Sequence, residues 1–305
     1  MSKIAIIGGT GLIGSKLIPE LKRLNHQVFI LTRGAAKTID SNETYINYDP
    51  YQNKWPTDVL TECETIINLA GKNIGDSRLT TNVKSDVYKS RIELTRSLVT
   101  FINNTDNKCY LLINSSAAGF YGYDRKDEML DEDSDPGNGY LAELCKDWEN
   151  ESKKLESRRL VILRTGIVLD NNSGAYPKLK QPILLGLGSA LGTGKQWVPW
   201  IHINDVINII LYAINNHKIE GPVNVVCPNP VRNKRMIGAI SDSLNKAILM
   251  PKVPAFALKL ILGELSKGIV GGLKIEPKKL KDQNFIWEYY DIDQAVKNLN
   301  WGKKQ

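Results

Sequence analysis

The strongest constraint on this chain lies at its very start, where a strand, a glycine turn and a helix follow one another without interruption. Residues 3–7, Lys-Ile-Ala-Ile-Ile, are a short apolar run of the kind that forms a strand buried on both faces of a parallel sheet. Gly8-Gly9-Thr10-Gly11-Leu12-Ile13-Gly14 comes next, and residues 15–21 carry apolar side chains at helical spacing. Pro19 falls in that helix, where a proline is tolerable only in the first turns. Gly8, Gly11 and Gly14 let the backbone approach a ligand closely, and the N–H groups of the turn point at it. The helix N-terminus adds partial positive charge. The segment is therefore predicted to hold a pyrophosphate with Gly8, Thr10, Gly11, Leu12 and Ile13, as in a dinucleotide site.

The second strand, residues 27–31, leads to Thr32-Arg33-Gly34. An acidic side chain at this place would hydrogen-bond a ribose 2′-hydroxyl. Thr32 and Arg33 stand there instead, so a 2′-phosphate would meet a guanidinium, with Lys37 nearby, and NADP(H) is expected over NAD(H).

The alternation then continues. Strands are expected at 44–48 and 65–68, the latter followed by Leu69-Ala70-Gly71, and residues 83–103 read as one long amphipathic helix carrying Asp86, Ser90 and Arg91. A strand at 109–114 precedes Ser115-Ser116-Ala117-Ala118-Gly119-Phe120-Tyr121-Gly122, and a helix near 139–157 leads to a strand at 160–163. This is the pattern of an α/β protein with a doubly wound parallel Rossmann sheet.

At 305 residues the chain is long enough for a second, smaller C-terminal α/β lobe beside the sheet. No apolar run approaches a bilayer span and no signal-peptide pattern opens the sequence, so a cytoplasmic protein without membrane contact is expected. The net charge of +7 comes from dispersed Lys and Arg residues with no nucleic-acid-binding motif, which points to an anionic small molecule and not to nucleic acid. Cys63, Cys109, Cys145 and Cys227 lie far apart, without metal or redox spacing, and no metal site is expected.

The glycine turn, Asn68-Leu69-Ala70-Gly71 and Ser115–Gly122, in this order, resemble the extended short-chain dehydrogenase/reductases. Downstream segments narrow the resemblance: Leu163–Leu169, Gly192-Thr193-Gly194-Lys195-Gln196-Trp197, Trp200–Asp205 and Pro228-Asn229-Pro230. They are similar to the branch called epimerase family proteins, that of the human short-chain dehydrogenase/reductase family 39U member. The resemblance implies a Rossmann lobe over 1–165 and a smaller substrate lobe over 166–305, with residues 196–230 returning to the first. It also implies NADP(H) held by the glycine turn, Thr32, Arg33, Leu69, Ala70, Gly71, Asp86, Arg91 and Val168. A monomer or homodimer acting on an unidentified small molecule fits these expectations.

One departure bears on chemistry. Members of the superfamily that transfer hydride carry Tyr-x-x-x-Lys on a helix, where the lysine lowers the tyrosine pKa. Placing Glu149 at its counterpart puts Leu141 and Cys145 at those two positions, while Tyr140 and Lys146 each miss by one residue, a rotation of about 100°. Ser116, at the place of the catalytic serine, and Tyr121, a phenol near the cleft, are the remaining catalytic candidates. Each has an ordinary structural alternative: strand-end capping for Ser116 and packing for Tyr121. His202 is expected to be structural, beside Asn204 and Asp205 at the start of an apolar helix. The expected function is an NADP(H)-dependent oxidoreductase or epimerase-like enzyme. The alternative is a catalytically silent NADP(H)-binding sensor.

Overall fold

The computed structural model describes residues 1–49, 52 and 54–301. Its centre is an eight-stranded sheet. The strands are β1 (Lys3–Ile7), β2 (Gln27–Thr32), β3 (Lys37–Asp40), β4 (Glu43–Asn47), β5 (Thr65–Asn68), β6 (Leu111–Ala117), β8 (Arg159–Thr165) and β12 (Gly221–Val225), with β7 (Met129–Leu130), β9 (Ile167–Leu169), β10 (Trp197–Val198) and β11 (Trp200–His202) outside it. Their order is β12-β8-β6-β5-β1-β2-β4-β3. Every pair is parallel except β3 with β4.

The chain thus builds outward from β1 through β2 and β4, then returns to the other side of β1 with β5, β6, β8 and β12. This is a doubly wound Rossmann sheet whose direction reverses between β1 and β5. Edge strand β3 has no counterpart in the sequence reading because its four residues are all exposed. A strand with neither face buried has no hydrophobic alternation to read.

Alternate residues of each strand feed two different cores. Ile4, Ile6, Val28, Ile30, Ile113 and Val161 face one side, covered by the helix Gly14–Arg23 and the apolar helix Ile203–Asn215. Ala5, Ile7, Leu31, Ile66 and Leu112 face the other, under the helix Leu94–Asn104. Burial on both faces explains the continuous apolar runs. Pro19 is the sixth residue of its helix, later than expected, and is exposed. The Ser15 carbonyl that loses its helical partner there is on the solvent side.

The stretch read as one helix over 83–103 is three pieces: Thr81–Tyr88, a π-helical turn at Lys89–Glu93, and Leu94–Asn104. Val87 and Ile92 are both buried in one cluster with Leu144 and Trp148. They are five apart, the repeat of a π turn, so the inserted residue keeps both halves of the apolar stripe inward.

The remaining elements include β13 (Val231–Arg232) and β14 (Lys274–Ile275), paired with β10 and β7. The helices Ala175–Leu184, Asn233–Ser243, Ala255–Leu262 and Ile292–Trp301 belong to this part, with a core around Trp200, Tyr176, Ile237 and Val296. Among the described residues no helix is long and apolar enough to cross a membrane.

His202 closes the start of the helix Ile203–Asn215. Its Nδ1 accepts the Asn204 N–H at 3.1 Å, and its ring stacks on Tyr289 with centroids 3.9 Å apart. The capping nitrogen must be unprotonated, and burial pushes the imidazole down to about 4 from 6.5. The unfolded chain therefore takes up the proton first, and the stability due to neutral His202 is lost as pH falls from 6.5 through 4. His202→Asn keeps a capping acceptor without titrating. Urea unfolding at about pH 7 and about pH 4.5 should show the wild type losing about 2 kcal/mol more than the variant.

Candidate functional site

The turn after β1 and the loop after β5 meet where the sheet reverses. Gly8 has φ +80°, and a Cβ there would lie 2.8 Å from the Leu69 carbonyl carbon and the Ala70 nitrogen. Only glycine fits so close an approach. Gly14 has the second such contact, since a Cβ would sit 2.5 Å from the Gly9 Cα.

The opposing loop is held by a buried amide network. Asn68 donates through Nδ2 to Asn114 Oδ1 at 2.7 Å and to Thr95 Oγ1 at 3.2 Å, and accepts the Ala70 N–H at 3.2 Å. Trp148 Nε1 donates to the same Thr95 hydroxyl at 2.9 Å. Side chains from β5, β6 and two helices thereby fix Leu69, Ala70 and Gly71. The sequence reading missed Thr95 and Asn114 in this role, because nothing local pairs residues 46 positions apart.

These segments open onto a crevice of about 1600 Å³. Gly8, Thr10, Gly11, Leu69, Ala70 and Gly71 line its floor, and Thr32, Arg33 and Asp86 its sides. The Thr32-Arg33-Gly34 turn is firmly built. Thr32 Oγ1 accepts the Gly34 N–H at 3.1 Å, and Asn47 Nδ2 donates to the Gly34 and Arg33 carbonyls at 2.8 and 3.3 Å. The Arg33 side chain is exposed and makes no ion pair among the described residues. Lys37, expected to assist it, lies over the Tyr45 ring at 4.7 Å. Asp86 is paired with Lys72 at 2.5 Å, which holds its carboxyl below the usual range.

Leu12, Ile13 and Val168 stand apart from the crevice lining. With Leu69 they pack against the sheet core, and Gly174 brings Leu12 and Val168 together, its Cβ position lying 3.2 Å from the Leu12 side chain and 3.6 Å from the Val168 carbonyl. Arg91, on the π turn, is also outside the lining. Its guanidinium presses on Gly71, where a Cβ would be 2.9 Å away, and lies 5.2 Å from the Trp148 ring.

The two catalytic candidates belong to a buried network of a different kind. Strand β6 runs three residues beyond the predicted end, so Ser116 is a strand residue whose hydroxyl donates to Glu149 Oε1 at 2.9 Å. Arg164 grips the same carboxylate through Nε and Nη2, both at 2.9 Å. Arg164 also donates to the Tyr121 hydroxyl at 2.9 Å and the Glu132 carbonyl at 3.2 Å, and stacks on Phe120 at 3.5 Å. Tyr121 is fully buried, and its hydroxyl is 2.7 Å from Asn224 Oδ1 and 2.8 Å from the Asp131 carbonyl. Burial pushes its phenol up to about 12. In this arrangement the hydroxyls of Ser116 and Tyr121 help to join β6, β8, β12 and the helix Tyr140–Ser152.

On that helix Leu141 and Cys145 face the loop after β6. The Gly119 Cβ position is 3.3 Å from Leu141 Cβ and 3.6 Å from Cys145 Sγ. Burial pushes the Cys145 thiol up to about 12, and Arg91 offsets this only in part. Lys146 is exposed. All four cysteines are buried and free, and no cluster among the described residues could hold a metal ion.

A glycine turn at the reversal point of a doubly wound sheet, opening on a crevice at the strands' carboxyl ends, defines a dinucleotide-binding protein of the Rossmann class. Residues 4–226 match the NAD dependent epimerase/dehydratase family, to which the chain belongs, and residues 253–299 match a domain of unknown function, DUF1731. The chain is similar to epimerase family protein YfhF of Bacillus subtilis, 35% identical over 298 residues that cover 97% of each. It is 31% identical to the chloroplastic epimerase family protein SDR39U1 homolog of Arabidopsis thaliana, over 97% of this chain and 86% of that one. Among solved structures it is similar to human epimerase family protein SDR39U1 (isoform 2) with NADPH. The TM-score is 0.87 and the identity 26%, over 97% of this chain and 98% of that one.

The buried network makes a clear demand on stability. Arg164→Met removes both guanidinium hydrogen bonds from the buried Glu149 carboxylate, leaving it the Ser116 hydroxyl and the more distant Lys153 ammonium at 3.6 Å, and should cost about 3–5 kcal/mol in urea unfolding. Tyr121→Phe removes the one O–H that Asn224 Oδ1 and the Asp131 carbonyl share, and the acceptor of Arg164 Nη1, at about 1–3 kcal/mol.

Proposed function

We propose that this protein binds NADP(H) in the crevice and acts as an oxidoreductase or epimerase-like enzyme on a small substrate. The observation that carries the cofactor reading is Arg33, an exposed guanidinium without an ion-pair partner among the described residues, on a turn braced by Thr32 and Asn47 at the end of β2. A 2′-phosphate supplies the anion such a group lacks. The rest of the cofactor fits the same place: the absence of a Cβ at Gly8 lets the turn close against the Leu69–Ala70 backbone, and Gly8, Thr10 and Gly11 line the crevice beside it. The NADPH in the human relative supports the same reading.

In this reading Gly8, Thr10 and Gly11 hold the pyrophosphate, and Thr32 and Arg33 the 2′-phosphate. Leu69, Ala70, Gly71 and Asp86 flank the adenosine half, while Leu12, Ile13 and Val168 support the far half from the core. Residues 1–165, completed by the 196–230 stretch that includes β12, form the cofactor lobe, and the remainder of 166–305 forms the substrate lobe. When bound, the nicotinamide supplies hydride chemistry. The chain's own part is to orient it and keep water out, with Leu141 and Cys145 presenting an apolar surface beside Gly119. The commitment of Ser116 and Tyr121 to the Arg164 network favours a second reading, a silent NADP(H) sensor.

Fluorescence titration tests the cofactor. NADPH should bind at least about tenfold more tightly than NADH, about 1.4 kcal/mol, and Arg33→Ala should lose most of that difference. Equal affinities would remove the basis for the assignment. Chemistry is tested separately: with NAD⁺ or NADP⁺, standard nucleotide sugars should show no epimerisation after long incubation, because Leu141 has no proton to exchange. Robust turnover would overturn this.

A further inference from the structure

The helix Ala255–Leu262 has the composition of a buried helix and the position of an exposed one. Its sequence, Ala-Phe-Ala-Leu-Lys-Leu-Ile-Leu, is apolar at every place but Lys259, and a helix apolar all round is normally enclosed on every side. Here Leu258 alone is buried. Phe256 is 75% exposed, Leu260 73% and Ile261 64%. The fold holds them outward. Leu258 turns to the interior about 200° round the helix from Phe256, and Arg78 donates to the Leu260 and Ile261 carbonyls at the helix end.

A second stretch adjoins this helix. The Val253 N–H donates to the Ala190 carbonyl at 3.0 Å, the Gly192 N–H to the Val253 carbonyl at 2.9 Å, and Ser189 Oγ to the Pro251 carbonyl at 2.5 Å. The two strands of backbone run parallel, so the exposed Leu187 comes out beside Leu249, 83% exposed, and Met250. Single exposed apolar side chains are ordinary, but adjoining ones mark a surface that something covers.

Charge indicates what covers it. Neither 171–204 nor 243–263 holds an acidic residue. Lys246, Lys252 and Lys259 stand exposed among the apolar side chains and make no ion pair among the described residues. Glu264, the first acid beyond the helix, is already paired with Lys84 at 2.7 Å. A symmetric contact with a second copy would bring these lysines together with no acid to offset them. Protein interfaces favour tyrosine, tryptophan and arginine and are poor in lysine. Residues 184–191 and 243–263 hold none of the first three. Aliphatic side chains, a phenylalanine and lysines with long stems suit a bilayer surface instead.

We propose that this face binds the surface of an anionic lipid bilayer, with Leu249, Phe256 and Leu260 entering the boundary between headgroups and acyl chains and Lys246, Lys252 and Lys259 meeting the lipid phosphates. The expectation of no membrane contact rested on the lack of a spanning run, and a face that lies on the bilayer needs none.

Flotation of the full chain with vesicles of phosphatidylcholine alone, and of phosphatidylcholine with about 30% phosphatidylglycerol, is the test. The mixed vesicles should bind at least about tenfold more tightly than the neutral ones, and less so as salt is raised. Phe256→Ser combined with Leu260→Ser should weaken binding more than about tenfold, and Leu249→Ser, outside the helix, at least about threefold. Lys252→Gln combined with Lys259→Gln should weaken it about tenfold and remove most of the preference for anionic lipid. Because all these side chains are exposed, urea unfolding of each variant should match the wild type. Absence of binding to the mixed vesicles, or equal binding to both kinds, would overturn the proposal. So would binding that survives the loss of Phe256, Leu260 and Leu249, which is general adsorption of a cationic protein. Wild-type dimerisation in sedimentation velocity that Phe256→Ser with Leu260→Ser abolishes would assign the face to a second copy and overturn it equally.

Discussion

The fold turns on a contact between two pieces of backbone. Where β1 and β5 lie side by side, the turn leaving one and the loop leaving the other approach until a single methyl group would force them apart. A dinucleotide site needs this closeness, because its donors are main-chain N–H groups that must reach a phosphate without side chains in the way. The glycines permit the approach, and the strands on either side enforce it. The Asn68, Asn114 and Thr95 network then prevents the loop from relaxing, at the cost of placing three polar side chains in the interior.

A second buried network does for the other half of the sheet what the amide network does for the first. Arg164 and Glu149 are a charge pair with almost no exposure, and such a pair survives only when its remaining donors and acceptors are met. Ser116, Tyr121 and the Glu132 carbonyl meet them. The hydroxyls that would be candidates for chemistry are therefore occupied as structural partners. The Tyr140 hydroxyl, by contrast, is buried without a hydrogen-bond partner, on a ring packed with Val87, Ile92, Leu144 and Trp148.

The sequence alone determined six of the eight strands of the central sheet, the glycine turn and the absence of an acid after β2. These are local properties: an apolar run between glycines reads as a buried strand whatever surrounds it, and Arg33 is cationic in any context. The tertiary structure decided what depends on residues far apart in the chain. It extended β6 through Ser116, inserted the π turn that Val87 and Ile92 require, paired Asp86 with Lys72, and drew Tyr121 into contact with Asn224, 103 residues away. A side chain's chemistry is set by whether its donors and acceptors are met, and those partners arrive only when distant strands and helices pack together.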